Sequence, residues 1–160
     1  YELAQGPIGV LATSPASMHQ ALMLPDWGPT TFFLNGAMTP DPGQAVALRA
    51  RGVTVEPEPV ARIEGAALDL VLRDGRKVPL RGLFVASRTE QASPLAARLG
   101  CELDQGEHGT VIRTDPIRAT SVPGVFACGD AARMAGNVSL AVADGVMAGV
   151  AAHRSLMGMG

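Results

Sequence analysis

The sequence predicts an α/β fold in which a parallel sheet alternates with helices and carries a small antiparallel unit. Over the first third of the chain, apolar β-branched runs alternate with segments of helical period. A stretch of alternating leucines then meets an Asp-Gly turn, which is typical of antiparallel hairpins. A long helix rich in small apolar residues closes the chain, and its nearly uniform apolar surface predicts burial on most sides.

The composition and charge of the chain limit the classes of binding partner to expect. Its 160 residues are 47% hydrophobic and carry a formal net charge of −2, with no concentrated run of like charges. This pattern indicates neither a nucleic-acid surface nor a membrane surface. Polar residues interrupt each apolar stretch, so none reaches the roughly 20 unbroken apolar residues of a membrane-spanning helix. We therefore expect small-molecule or protein partners, no nucleic acid and no membrane.

The cysteines give an expectation for the cellular compartment, and the first residue gives one for whether the chain is part of a longer protein. Cys101 and Cys128 match neither a metal-site spacing nor a disulfide framework. Two reduced thiols are typical of a cytoplasmic protein, and no metal site is expected. The chain opens at Tyr1 without the signals of a leader peptide, which predicts a piece of a longer protein. No catalytic role is predicted for His19, His108 or His153.

The first elements form a βαβ unit. Ile8–Ala12 is predicted as an apolar strand, and a helix over Pro15–Leu24 follows it. Ser14 is predicted to cap this helix, because its hydroxyl can accept from a free amide while Pro15 has no amide to satisfy. The β-branched and aromatic run Thr30–Leu34 is the next strand, so the two strands should be parallel.

The next elements extend this pattern and add the antiparallel unit. A short helix over Gln44–Arg51, closed by Gly52, leads to a third strand over Val53–Val55. Four further strands are predicted at Val60–Ile63, Leu68–Leu72, Lys77–Leu80 and Leu83–Ala86. The first three of these form an antiparallel meander around the Asp74-Gly75 turn.

The rest of the chain carries weaker signals until its last forty residues. A short helix is predicted around Pro94–Leu99, followed by a Gly-bounded turn over Gln105–Gly109 and a short strand at Val111–Arg113. Val125–Cys128 is predicted as another short strand. The final helix is predicted over Val138–Leu156.

The predicted strand before Gly129 and Asp130 places a carboxylate at a strand tip. Ligands collect at this edge in open α/β sheets. Gly129 lets the backbone approach a ligand, and the Asp130 carboxylate can accept hydrogen bonds from hydroxyl groups, as in sugar or polyol recognition. The same dipeptide also closes many ordinary turns. Free amides at Asn137–Ser139, where the last helix begins, favour an anionic ligand nearby.

The eleven residues TSVPGVFACGD, which end at Asp130, resemble the carboxyl-terminal flavin motif of the thioredoxin reductase family. The resemblance implies FAD as the cofactor, with Asp130 at its ribitol and Gly129 beside it in the cofactor site. It also implies that Asn137, Val138 and Ser139 meet the pyrimidine side of the isoalloxazine. A helix amino end at that place would stabilise the negative charge that a reduced flavin gains.

The resemblance covers nearly the whole chain and implies its domains. Residues 3–83 resemble the family's Rossmann-like pyridine-nucleotide domain, and residues 84–160 resemble the last part of its FAD domain. The FAD pyrophosphate loop and the redox Cys-x-x-Cys would then precede Tyr1. The chain is thus expected to be a catalytically silent fragment of an oxidoreductase that exchanges electrons between flavin and a dithiol or disulfide. The implied partner is a small-molecule dithiol or a thioredoxin-like protein, and the implied full-length form is a homodimer.

Two segments of this sequence depart from the pattern of the family's dinucleotide site. Residues 12–17 read ATSPAS where G-x-G-x-x-A/G provides a tight turn and close approach to a pyrophosphate, and the Cβ of Ser14 intrudes on that space. After the second strand, Leu34-Asn35-Gly36 offers no charge to a ribose or a 2′-phosphate. We predict that NADPH recognition is lost while the fold is kept, and the alternative for this site is an altered dinucleotide site that still works. For the function, two alternatives remain: a flavin-dependent dithiol oxidase, and a non-catalytic binding module on the Rossmann scaffold.

Overall fold

The chain divides into two compact units. The computed structural model describes residues 2–65, 68–106, 109–134 and 136–158. Unit 1 is Tyr1–Ser87 and unit 2 is Arg88–Gly160. His108 lies outside the described residues, and so does the centre of the turn predicted around it. Across the described ranges, every helix is too short or too polar to cross a membrane.

Unit 1 is built on a four-stranded parallel sheet. Its strands are β1 (Ile8–Leu11), β2 (Thr30–Phe33), β3 (Thr54–Glu56) and β7 (Gly82–Val85). They lie in the order β3-β2-β1-β7. Strands β2 and β3 are added on one side of β1, and β7 then pairs with the other side of β1. This reversal creates the crevice at which open α/β sheets bind ligands. The predicted α/β class is confirmed.

Helix α1 (Ser17–Met23) begins later than predicted. The Ser14 hydroxyl does not cap it, because that hydroxyl accepts a hydrogen bond from the Ala16 amide at 3.3 Å. The Ser17 hydroxyl accepts another from the Thr13 amide at 3.1 Å. Such local side-chain bonds compete with the helical ladder, so the chain forms a turn ahead of the helix.

Helix α2 (Pro42–Ala50) opens on a complete capping box. Asp41 Oδ1 accepts from the Gln44 amide at 2.8 Å, and Gln44 Oε1 accepts from the Asp41 amide at 2.9 Å. Pro42 occupies the first helical position, where its missing amide leaves nothing unsatisfied. These features move the start ahead of Gln44, where the sequence pattern places it.

Two neighbouring phenylalanines place the sheet between two apolar layers. Phe32 is fully buried among residues of the helices, including Met18 and Leu48. Phe33 is fully buried on the other side with Leu72 and its neighbours. Successive side chains of a strand point to opposite faces, so β2 contributes to both layers.

The predicted meander forms the second apolar layer. Its strands are β4 (Val60–Glu64), β5 (Asp69–Leu72) and β6 (Lys77–Pro79), paired antiparallel in that order. Gly75 has a φ of +89° in the turn between β5 and β6, a conformation that favours glycine. The Asp-Gly turn therefore lies where the sequence predicts it.

Unit 2 is built from shorter elements and one long helix. They are α3 (Leu95–Arg98), β8 (Leu103–Gly106), β9 (Gly109–Ile112) and α4 (Val138–Leu156). Strands β8 and β9 pair antiparallel, with Leu103 opposite Ile112. The sequence pattern does not predict β8, because its residues LDQG lack apolar alternation.

The segment Val125–Cys128 is extended but is not a strand. Within the described ranges, its ladder pairing is limited to a single bridge between Ala119 and Phe126. Two backbone hydrogen bonds accompany the bridge, from the Thr120 amide to Val125 O at 2.9 Å and from the Ala127 amide to Arg118 O at 3.0 Å. The predicted strand is wrong, because extended backbone forms a sheet strand only when a neighbour pairs with it along its length.

Helix α4 is exposed along most of its length, contrary to prediction. Its buried residues are Asp144, Ala148 and Ala151. Val138, Val142, Val146 and Val150 recur every fourth residue, and between 54% and 81% of each is exposed. The expected burial on nearly all sides is wrong for unit 2, because its described residues pack against one side of the helix only.

Candidate functional site

The candidate site centres on the turn formed by Gly129 and Asp130. Cys128 is extended, with a φ of −148°, and a short 3-10 turn over Gly129–Ala131 follows it. Gly129 has a φ of +64°, which L side chains rarely adopt. A Cβ on Gly129 would lie 3.4 Å from the Cβ of Ala141 in α4. The backbone therefore requires glycine here, and the turn rests against α4.

Asp130 is exposed, and no donor from the described part of the chain bonds to its carboxylate. Gly136 lies beside it: a Cβ added to Gly136 would be 3.3 Å from Asp130 Oδ2 and 3.4 Å from Oδ1. The missing side chain at Gly136 keeps both carboxylate oxygens accessible. An accessible carboxylate with all its acceptor capacity can accept hydrogen bonds from the hydroxyl groups of a polyol.

The start of α4 is capped by its own chain. Asn137 Oδ1 accepts hydrogen bonds from the Ser139 amide at 2.9 Å and from the Leu140 amide at 3.4 Å. The expectation of free amides over Asn137–Ser139 is therefore wrong for Ser139, because an asparagine at the N-cap takes up that donor. The helix dipole still favours negative charge at this end. Val138 is 81% exposed, so the helix start is open to a ligand.

A buried carboxylate in α4 pairs with an arginine on each side of the candidate turn. Asp144 is 1% exposed and accepts from Arg133 Nε at 2.5 Å and from Arg133 Nη2 at 2.8 Å. Arg118 Nη2 lies 2.8 Å from Asp144 Oδ1. The hydrogen bond from Arg133, with the charges of both arginines, holds the pKa of Asp144 below its usual value.

Sequence reasoning does not assign a role to Asp144. The signal in the sequence is that Asp144 is the single acidic residue of a largely apolar helix. A buried acid is nearly always paired, so such a residue points to a partner of opposite charge. Its partners Arg118 and Arg133 lie in irregular segments. Their approach to one carboxylate follows from the tertiary fold.

In unit 1, a side-chain hydrogen bond crosses the crevice of the parallel sheet. The Thr13 hydroxyl donates to the carbonyl of Ala86. Thr13 lies in the loop after β1, and Ala86 follows β7, so the bond joins the carboxyl ends of the two strands between which the sheet order reverses. Dinucleotides bind at this place in Rossmann domains.

The end of β2 is likewise used for internal contacts. Asn35 has a φ of +52°, and its Oδ1 accepts from the Val60 amide at 3.0 Å. Glu56, at the end of the adjacent β3, is paired with both terminal nitrogens of Arg76 at 2.7 and 3.1 Å. The hydrogen bond from Arg76 holds the pKa of Glu56 below its usual value. Asn35 and Glu56 are therefore engaged within unit 1.

The two cysteines are free thiols in unit 2. Cys101 is buried, with its Sγ 3.6 Å from Thr120 Oγ1. Cys128 is half-buried and directly precedes the candidate turn. His19, which the sequence places on the surface, is exposed on α1.

Comparison with known proteins identifies similar chains. The sequence profile of a family described as pyridine nucleotide-disulphide oxidoreductase matches residues 41–151. The crystal structure of an oxidoreductase from Agrobacterium tumefaciens is 52% identical and superposes with a TM-score of 0.91. Two curated relatives are thioredoxin reductase sirT of Leptosphaeria maculans, 36% identical over 136 residues, and thioredoxin reductase tcpT of Claviceps purpurea, 31% identical over 169 residues.

The chain spans about half the length of these relatives. It covers 41% of sirT and 52% of tcpT, which correspond to 80% and 98% of the chain itself. It covers 53% of the Agrobacterium tumefaciens protein, with 98% of its own length matched. The similarity therefore includes both units.

Proposed function

Because the chain belongs to the pyridine nucleotide-disulphide oxidoreductase family, we propose that it is the carboxyl-terminal part of a thioredoxin reductase-like, FAD-dependent enzyme. In this proposal the whole protein exchanges electrons between flavin and a dithiol or disulfide. The observation that carries it is the exposed Asp130 carboxylate, which accepts no bond from the described residues and lies against Gly136, where a side chain would crowd it. The partial coverage of each relative supports a longer parent protein.

The proposal assigns the cofactor-binding roles within this chain. Gly129 brings the backbone close to the ribitol and Asp130 accepts from its hydroxyl groups. Asn137, Val138 and Ser139 face the pyrimidine end of the ring, where the dipole of α4 favours negative charge. Bound FAD supplies reversible two-electron chemistry that these side chains lack. Residues 3–83 then form the pyridine-nucleotide-type domain, and residues 84–160 form the last part of the FAD domain.

The crevice of unit 1 supports a protein that has lost NADPH binding. The Thr13 hydroxyl is bonded to Ala86 across the place where a pyrophosphate lies in Rossmann domains. Ser14 carries a Cβ where the family motif has glycine, and Asn35 is committed to Val60. These three features favour the second candidate function, a dithiol oxidase. In that reaction two electrons and two protons leave the dithiol, a disulfide forms, and molecular oxygen is reduced to hydrogen peroxide.

The proposed partner is a small-molecule dithiol or a thioredoxin-like protein, and the proposed full-length form is a homodimer. Two curated relatives carry the name thioredoxin reductase, which supports a disulfide-exchanging partner. A non-catalytic binding module is less well supported, because the family similarity extends over both units.

Retention of FAD tests the proposed cofactor. We expect a form extended at its amino terminus to the length of its relatives to keep flavin absorbance after desalting, because it would add the rest of the FAD domain. The 160-residue chain alone should lose it. The measurement is the absorbance spectrum before and after the desalting column. Absence of retained flavin in both forms would remove the flavoenzyme proposal.

Anaerobic reduction of the flavin tests the loss of NADPH recognition. We expect a dithiol such as dithiothreitol to bleach the flavin of the extended protein, whereas NADPH at equal concentration should leave the absorbance nearly unchanged. The dithiol reaction serves as the control for a reducible flavin. Rapid bleaching by NADPH would show that the unit 1 crevice still admits a dinucleotide.

A further inference from the structure

Asp144 forms ion pairs with residues on both sides of the candidate turn. Arg133, which follows the turn, forms two hydrogen bonds to its carboxylate at 2.5 and 2.8 Å. Arg118, which precedes the turn, contacts the same carboxylate at 2.8 Å and accepts the Ala127 amide on its own carbonyl at 3.0 Å. The two arginines therefore lie on either side of the turn over Gly129–Ala131.

Burying the Asp144 carboxylate costs free energy unless its charge is paired. A carboxylate that is only 1% exposed requires partners of opposite charge and good geometry. The fork of Arg133 provides a bidentate pair, which restricts orientation as well as distance. Removing the charge of Asp144 would leave Arg118 and Arg133 without their shared counter-ion.

Arg118 adds a second constraint on the same segment. Its φ is +73°, a left-handed conformation that is unfavourable for a residue with a long side chain. Its Nε is buried and lacks a hydrogen-bond partner in the described part of the chain. The ion pair with Asp144 therefore offsets part of the cost of burying this guanidinium, whose Nε stays without a partner among the described residues.

We propose that Asp144 is the positioning residue of the FAD site: through Arg133 and Arg118, it fixes the turn so that the Asp130 carboxylate projects toward the ribitol hydroxyls. This inference rests on the proposed function. Asp144 itself touches no cofactor atom in this scheme, and it acts on binding only through the orientation of Asp130.

A double-mutant cycle separates this role from general stabilisation. In the amino-terminally extended protein, we expect Asp130→Ala to weaken FAD binding roughly 10- to 150-fold and Asp144→Asn to weaken it about 10-fold. The double variant should bind FAD about as weakly as Asp130→Ala alone, because Asp144 affects FAD binding only through the orientation of Asp130. Fluorescence titration of FAD, at a temperature where every variant is folded, gives the affinities. Losses that multiply in the double variant would overturn the proposal.

The cycle has a matched control and a second variant. Asp104→Asn removes an acid from unit 2 that pairs with Arg113 on the surface, and it should leave FAD affinity unchanged. Should Asp144→Asn fail to fold, Arg133→Gln removes the bidentate contact at a partly exposed position and should give the same non-additive loss with Asp130→Ala. Multiplicative losses with this variant would equally overturn the proposal.

Amide exchange in the 160-residue chain tests the positioning without any cofactor. We expect Asp144→Asn to speed deuterium exchange of the Ala127 and Ala132 amides, which donate to Arg118 O and Gly129 O, about 10-fold or more, with no change in Asp104→Asn. Unchanged exchange at both amides would overturn the inference. If no form of the protein binds FAD, the proposed function fails, and this exchange still decides whether Asp144 holds the turn.

Discussion

Replacing Asp130 with alanine is expected to weaken FAD binding by the extended protein roughly 10- to 150-fold, the equivalent of a hydrogen bond to a charged group at about 1.5–3 kcal/mol. The carboxylate is exposed, and no described residue uses it, so its loss should leave the fold unchanged. Asp130→Asn keeps one acceptor oxygen and should fall between wild type and Asp130→Ala. Fluorescence titration with FAD provides the affinities.

The control for Asp130 is Asp104→Ala, which removes an acid of the same type from unit 2. Asp104 pairs with Arg113 and has no predicted contact with the cofactor, so FAD affinity should not change. Circular dichroism of each variant confirms that the comparison is made between folded proteins. Equal affinity of wild type and Asp130→Ala would place the ribitol away from this carboxylate.

Replacing Phe32 with alanine is expected to lower the free energy of unfolding of unit 1 by about 3–5 kcal/mol. Phe32 is fully buried in the layer between the sheet and the helices, where it packs with Ile8, Val10 and Leu48. The loss combines the transfer free energy of the ring with the cost of the cavity left behind. Urea denaturation followed by far-ultraviolet circular dichroism measures the change.

Two further substitutions make the Phe32 experiment decisive. Phe32→Leu keeps most of the volume and should cost less than Phe32→Ala, which keeps the test usable if the alanine variant is unfolded. Val46→Ala, on the exposed side of α2 where 62% of the valine is accessible, should stay within about 0.5 kcal/mol of wild type. A loss at Phe32 no larger than that at Val46 would contradict the two-layer core.

The elements of unit 1 could be predicted because each one carries its own local signal. The meander follows from alternating leucines and the Asp74-Gly75 turn, and the strand at Thr30–Phe33 follows from its β-branched and aromatic residues. Helix starts were less predictable. The start of α1 depends on hydrogen bonds of Thr13 and Ser17 that compete with the helix, and such competition is not visible in the apolar pattern.

In unit 2, local signals predicted α4 but not its surroundings. The helix begins and ends where the sequence places it, because its small apolar residues and the Asn137 cap act locally. Its exposure was predicted wrongly, since burial depends on which other elements lie against the helix. The segment Val125–Cys128 was predicted as a strand for a similar reason, because its composition suits a sheet but its described neighbours pair with it at one position only.

The order of residues alone determined the family, the α/β class and the position of Asp130 beside a conformationally special glycine, because motifs and short-range periodicity are properties of contiguous sequence. Only the tertiary structure decided that Asp144 pairs with Arg118 and Arg133, and that Thr13 reaches Ala86. These contacts link residues far apart along the chain. Their partners are selected by the packing of whole elements, which no local pattern encodes.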